Sequence, residues 1–307
     1  MNTNEYENLD RELRLGAQYL SQCLTPESGA IPRIDNVDIY GESVPLNGIA
    51  GGDLITYVNF SERYDLDGRI AHARKRERHE VAERLQGLKN KGGIMVADVA
   101  GHEFADSLRA LMLHQIFHTS ILYELDVHGE PSIRIFERIN TRFFKSRTLH
   151  KLAGGFDASS FVTLIYGEID ISGRFRFISA GHPQPLIFSR AYDRFVEISP
   201  DRLVSYPPIG IQIGKDDADV KLFPSVLGYK ERYTINELNL MGQGDVLLLF
   251  TDGLTDPFSS YPQDRLERAV SRAKDGTAEE ICREIFADRY GSFKPADDIS
   301  LVVIKYR

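Results

Sequence analysis

The chain has 307 residues, 42% of them hydrophobic, with 17 Phe and 14 Tyr, which allows one large domain or two ordinary ones. Its 45 acidic and 37 basic residues give a formal charge of −8, which argues against a nucleic-acid surface. Two cysteines, Cys23 and Cys282, exclude a disulfide framework and any four-cysteine zinc site.

The opening stretch "MNTNEYENLDRELRLG" is acidic and lacks the apolar core of a signal peptide. No run approaches the ~20 apolar residues of a membrane span. A cytoplasmic protein with no membrane association is the expectation. Residues 5–24 read as a helix, with Tyr6, Leu9, Leu13, Gly16, Leu20 and Cys23 at alternating three- and four-residue spacing. Such a helix either packs on its own domain or serves regulation or dimerisation, which would make the protein a homodimer. "TPESGAIPRID" then interrupts the pattern with Pro26, Gly29 and Pro32. The expected division is an N-terminal helix and linker over 1–28 and a main domain over 29–307.

Strand-like runs follow in "VDIYGESV", "GGDLITYVNF" and "GGIMVADVAG". Between the last two lies a charged, proline-free stretch, 61–91, that reads as a helical insertion with a solvated face; a partner-docking arm is the alternative. Apolar positions Leu108, Leu111, Met112, Ile116 and Ile121 mark a buried helix over 102–125, and a second runs over 131–147. Six strand-like segments come next, from "FVTLIYGEID" to "GDVLLLFTD", the first two joined as a hairpin through 171–173. Helices over 262–274 and 277–289 precede a last strand, "DISLVVIKY", and Cys282 reads as a buried, inert thiol. Strands in runs, with paired helices between them, argue for antiparallel sheets flanked by helices, an α+β architecture.

Four aspartates share one setting. Asp98 ends "GIMVAD", Asp252 ends "VLLLFTD", Asp297 stands before "DISLVVI", and Asp53 opens "LITYVNF" after two glycines. One aspartate beside a strand is ordinary turn chemistry. Four at the ends of core strands, with no Lys or Arg inside the motifs, need cations, because burying unpaired charge costs several kcal/mol. Oxygen-only ligation favours Mg²⁺ or Mn²⁺ over zinc. Two such ions about 3.5–4 Å apart hydrolyse phosphate esters by acidifying a bridging water, with no nucleophilic side chain. In agreement, the chain lacks Cys-x₅-Arg, G-x-S-x-G and H-E-x-x-H motifs.

The stretches "AGGD" (50–53), "VADVAGH" (96–102), "FVTLIYGEID" (161–170), "FISAGHPQPL" (177–186), "GDVLLLFTDGLTD" (244–256) and "DDISLVVI" (297–304) resemble, in order, the motifs of the metal-dependent PPM (PP2C-type) serine/threonine phosphatases. The bacterial SpoIIE/RsbU-like branch is the nearest match, over about 27–307. The resemblance implies a sandwich of two antiparallel sheets with helix pairs on its outer faces. It implies two divalent cations, Mn²⁺ or Mg²⁺, with Asp98 bridging both. The Val99 carbonyl and Asp53 would serve one ion, and Asp252 and Asp297 the other. The implied activity is hydrolysis of phosphoserine or phosphothreonine, the substrate a phosphorylated STAS-type anti-anti-sigma protein in a partner-switching pathway.

Departures from the family pattern are "LITYVNF" after Asp53, where a second carboxylate is usual, the long stretch 61–91, an expanded 205–233, and Gln184 in place of proline. His102 is a candidate general acid, with a helix-capping role as the alternative. His182 reads more readily as a turn or core histidine, Asp256 as a helper or turn residue, and Asp298 is unassigned. Two other functions stay open: hydrolysis of small phosphoesters, and a non-catalytic binding module of the same fold.

Overall fold

The computed structural model describes residues 3–26, 30–46, 50–100, 104–146, 161–225, 227–239, 242–255, 261–291 and 296–307. His102 and Asp256 lie outside the described residues.

In chain order the elements are α1 (Thr3–Leu24), β1 (Val37–Val44), β2 (Asp53–Asn59), α2 (Phe60–Arg63), α3 (Leu66–Lys75), α4 (His79–Leu88), β3 (Lys91–Val99), α5 (Phe104–His128) and α6 (Arg134–Lys145). There follow β4 (Val162–Asp170), β5 (Arg174–Ala180), β6 (Leu186–Ser189), β7 (Arg194–Val196), β8 (Asn236–Asn239), β9 (Val246–Phe250), α7 (Gln263–Ala273), α8 (Ala278–Tyr290) and β10 (Ile299–Tyr306). They form two antiparallel five-stranded sheets, ordered β1-β10-β9-β6-β7 and β2-β3-β4-β5-β8.

The strands read as near-continuous apolar runs because both faces of each sheet are covered. Side chains alternate between faces with period two. Ile55, Tyr57, Ile94, Val96 and Ile165 of one sheet meet Leu247, Leu249, Val302 and Ile304 of the other in a central core. The opposite parity of the first sheet, Leu54, Val58, Met95, Ala97 and Leu164, packs against α3, α4, α5 and α6. That of the second, Leu248, Phe250, Leu301 and Val303, packs against α7 and α8. The α+β sandwich with helix pairs outside is the one the resemblance implies, and the β4–β5 hairpin turns at Gly173, whose φ of 77° suits glycine.

Two expectations are refined. The charged stretch is helical, but its inner face is core: Leu66, Ile70 and Ala73 of α3 and Ala82, Leu85 and Leu88 of α4 are buried. Charge dominates the composition there, yet these apolar residues still fall every three or four positions. Among the described side chains of α1 the buried ones are Ala17 and Leu20, with Leu24 packed on the core, while Leu13 and Cys23 from the expected seam are exposed; Tyr6 and Leu9 lie outside the described side chains. Cys282 is fully buried. No described helix is long and apolar enough to cross a membrane.

Candidate metal centre

Strand parity carries two of the four aspartates into the gap between the sheets. Asp53 shares its face with Ile55 and Tyr57, and Asp98 with Ile94 and Val96, all of the central core. The β2–β3 register sets Asp53 directly opposite Asp98, and the β3–β4 register sets Thr163 opposite Asp98 on its other side. Two carboxylates facing each other across one rung are a destabilising pair unless something of opposite charge joins them.

The other sheet reaches the same end of the gap. β9 closes at Phe250, and Asp252 begins a short 3₁₀ turn directly after Thr251. β10 begins at Ile299, directly after Asp297 and Asp298. Thr251, fully buried, ties the sheets together: its amide donates to the Ser300 carbonyl at 3.0 Å, its Oγ1 accepts from the Ser300 amide at 2.9 Å, and the same hydroxyl donates to Asp53 Oδ2 at 2.7 Å.

The electrostatics register the gathering. Burial pushes the Asp98 carboxyl up to about 7, and the negative charges of Asp252, Asp297 and Asp298 add to the shift. Burial and the Asp98 charge push Asp53 well above the usual carboxylate range, against the hydrogen bond from Thr251. Among the described residues, no lysine or arginine is among the leading influences on either value. Among the described residues, no three His, Cys, Asp or Glu side chains stand close enough to form a ready metal sphere. The carboxylates are neighbours without being a closed cage, as mutual repulsion favours. An all-oxygen donor set short of positive charge fits a hard divalent cation, and it does not fit zinc.

Asp298, unassigned from the sequence, has a defined part. It is 3% exposed, and its carboxylate accepts from the amides of Leu46 and Gly52, each at 2.7 Å. A Cβ on Gly51 would lie 2.1 Å from Asp298 Oδ2, and one on Gly253 would lie 1.9 Å from the Asp298 carbonyl oxygen. Both glycines are therefore demanded by close approach, Gly51 in "AGGD" and Gly253 directly after Asp252.

His182 is buried, its Nδ1 3.0 Å from Thr163 Oγ1, and burial lowers it to about 3, so it stays neutral in the core. On α5, Arg109 donates to the Ala100 carbonyl at 3.2 Å, just beyond Val99, and pairs with Asp106. The expanded stretch 205–233 is fastened by Lys230, whose buried ammonium donates to the carbonyls of Pro207 (2.7 Å) and Pro208 (3.1 Å) and to the Tyr233 hydroxyl (2.9 Å). Pro208 fills the space where a Cβ on Gly181 would sit, and Ile209 bridges to Val162, the cross-strand neighbour of Val99. This anchoring was not legible beforehand, because nothing near Lys230 in the sequence marks its acceptors.

A sandwich of two antiparallel sheets flanked by helices is the fold that the resemblance to PP2C-type phosphatases implies, and the comparisons agree on the fold. The family described as Stage II sporulation protein E (SpoIIE) matches residues 89–307, and this chain belongs to that family. Phosphoserine phosphatase RsbP of Bacillus subtilis (strain 168) is 28% identical over 174 residues, 56% of this chain and 35% of RsbP. This chain thus spans about a third of that relative's length. Two solved structures share the fold. The RsbU and RsbW domains of Rv1364c from Mycobacterium tuberculosis align with a TM-score of 0.55 at 19% identity, covering 90% of this chain and 62% of that one. RsbX in complex with magnesium aligns with a TM-score of 0.52 at 13% identity, covering 90% and 98%.

Proposed function

We propose that this chain is a protein phosphatase that hydrolyses phosphoserine or phosphothreonine with two divalent cations, Mn²⁺ or Mg²⁺, held by Asp53, Asp98, the Val99 carbonyl, Asp252 and Asp297. The observation that carries the reading is the gathering of carboxylates from both sheets, with no cationic side chain of the described residues among the leading influences on the proton affinities of Asp53 and Asp98. When bound, such ions acidify a water for attack on phosphorus and neutralise charge on the phosphoryl oxygens. The chain's own share is positional. Facing strands hold Asp53 against Asp98, and Thr251 fixes one oxygen of Asp53. Burial holds His182 neutral against Thr163, the cross-strand neighbour of Asp98.

The kinship with RsbP, named a phosphoserine phosphatase, supports a phosphoserine substrate, and the resemblance to the SpoIIE/RsbU-like branch points to a phosphorylated STAS-type anti-anti-sigma protein in a cytoplasmic partner-switching pathway. Leu13, Leu15 and Tyr19 of α1 are exposed, and a homodimer through this helix would cover them. The test is phosphate release from a serine-phosphorylated STAS-domain protein, set beside nucleoside and sugar monophosphates, with Mn²⁺ or EDTA. Release from the phosphoprotein in Mn²⁺ alone is expected. Turnover confined to the small esters would replace this reading with a small-phosphoester hydrolase.

A further inference from the structure

Asp298 is adjacent in sequence to Asp297, yet the two do different things. The Asp298 amide donates to Asp297 Oδ1 at 2.8 Å, which fixes that carboxylate. The Asp298 side chain turns into the protein and is engaged through both oxygens, Oδ1 by the Leu46 amide and Oδ2 by the Gly52 amide. Gly52 continues the chain of bonds, because its carbonyl accepts from the Val99 amide at 3.2 Å. The path Asp298–Gly52–Val99 therefore runs one residue away from Asp297, Asp53 and Asp98 in turn. It crosses from the residue before β10 to the residue before β2 and on to the end of β3, the junction at which the two sheets must be held in register for one site.

We infer that Asp298 is a positioning residue of the metal centre: its carboxylate clamps the amides of Leu46 and Gly52 and so sets Asp53 and Asp98 against Asp297, without itself ligating metal. The inference rests on the metal-centre reading above. A carboxylate is needed because both acceptors must face N–H donors. In Asp298→Asn the new amide nitrogen would point a donor at one of those N–H groups, leaving one bond of the two. No longer side chain fits, since Gly51 already yields its Cβ space to the carboxylate. Groups that orient metal ligands from behind are worth about 10- to 100-fold in metal affinity.

The test compares wild type, Asp298→Asn and Asp298→Ala by hydrogen–deuterium exchange in EDTA and by calorimetric titration with Mn²⁺. In EDTA, exchange at Leu46 and Gly52 is expected to accelerate in Asp298→Asn, and more in Asp298→Ala, while the α7 and α8 amides hold their protection. Mn²⁺ affinity is expected to fall about 10- to 100-fold in Asp298→Asn, with most of kcat recovered at saturating Mn²⁺. Unchanged protection at Leu46 and Gly52 would overturn the clamp whatever the activity. A folded Asp298→Asn that stays inactive at every Mn²⁺ concentration, as a lost ligand would, overturns the positioning role in favour of direct ligation. A lowered melting temperature with unchanged Mn²⁺ affinity reduces Asp298 to a fold residue and overturns it too. If wild type binds no Mn²⁺, the metal-centre reading fails, and with it the positioning role; the exchange data then report only a structural tie.

Discussion

Asp98 carries a plain electrostatic conflict. It is a carboxylate at the mouth of an apolar core, opposite Asp53 on one side and near the charges of Asp252, Asp297 and Asp298 on the other. Removing its charge while keeping its shape relieves that repulsion and takes away a proposed ligand. Asp98→Asn is therefore expected to raise the melting temperature in EDTA and to abolish metal-dependent turnover, a stability–activity trade of a familiar kind. A variant that melts below wild type in EDTA would contradict the electrostatic account. The same conflict has a pH signature. The folded state binds the Asp98 proton more tightly than the unfolded chain does, up to about 7. That contribution to stability is complete below the ordinary carboxylate pKa and is lost as pH rises through 7. Metal-free wild type should lose stability between about pH 5 and pH 8 by this effect, and Asp98→Asn should lose less over the same window. Melting curves in EDTA at several pH values would show it. The strand-end placement of Asp53, Asp98, Asp252 and Asp297 was readable because each abuts a strand whose apolar parity is plain. Asp298 was not, since two adjacent aspartates look alike until the amide donors behind one of them are seen.

Among the elements, the helical stretch after β2 shows how charge can hide packing. α3 and α4 look solvated by composition, but Leu85 and Leu88 sit in the core with Leu113 and Phe117 of α5. Leu85→Ala should cost about 2–5 kcal/mol, the range for a truncated core leucine, read as a loss of denaturant midpoint; a solvated arm would lose well under that. The stretch 205–233 makes the converse case. It contributes few regular elements, yet Lys230 ties its two ends together. Lys230→Met keeps the apolar stem and strands the carbonyls of Pro207 and Pro208, a loss of about 1–3 kcal/mol for unmet buried polar groups. Faster limited proteolysis within 205–233, with the rest of the chain intact, is the expected result. Equal proteolysis rates would mean that the stretch is held by other contacts. Neither feature can be read from local pattern alone: the first needed periodicity weighed against charge, and the second needed long-range acceptors.

Over the whole molecule, the sandwich brings four chain-distant strand ends together, and the proposed metal site would be built at that meeting. The order of strands and helices was legible because both faces of each sheet are covered and the apolar runs are strong. The pairing of β1 with β10 and the packing of β2 against both join the two ends of the chain, and no local signal carries that. The central claim is that these strand ends form one cation-dependent hydrolytic site. The direct measurement is p-nitrophenyl phosphate hydrolysis in Mn²⁺, Mg²⁺ or EDTA by wild type, Asp98→Asn and Asp252→Asn, each confirmed folded. The account predicts turnover in wild type only with a divalent cation, and none in either variant. Turnover that persists in EDTA, or that survives both substitutions, would contradict it.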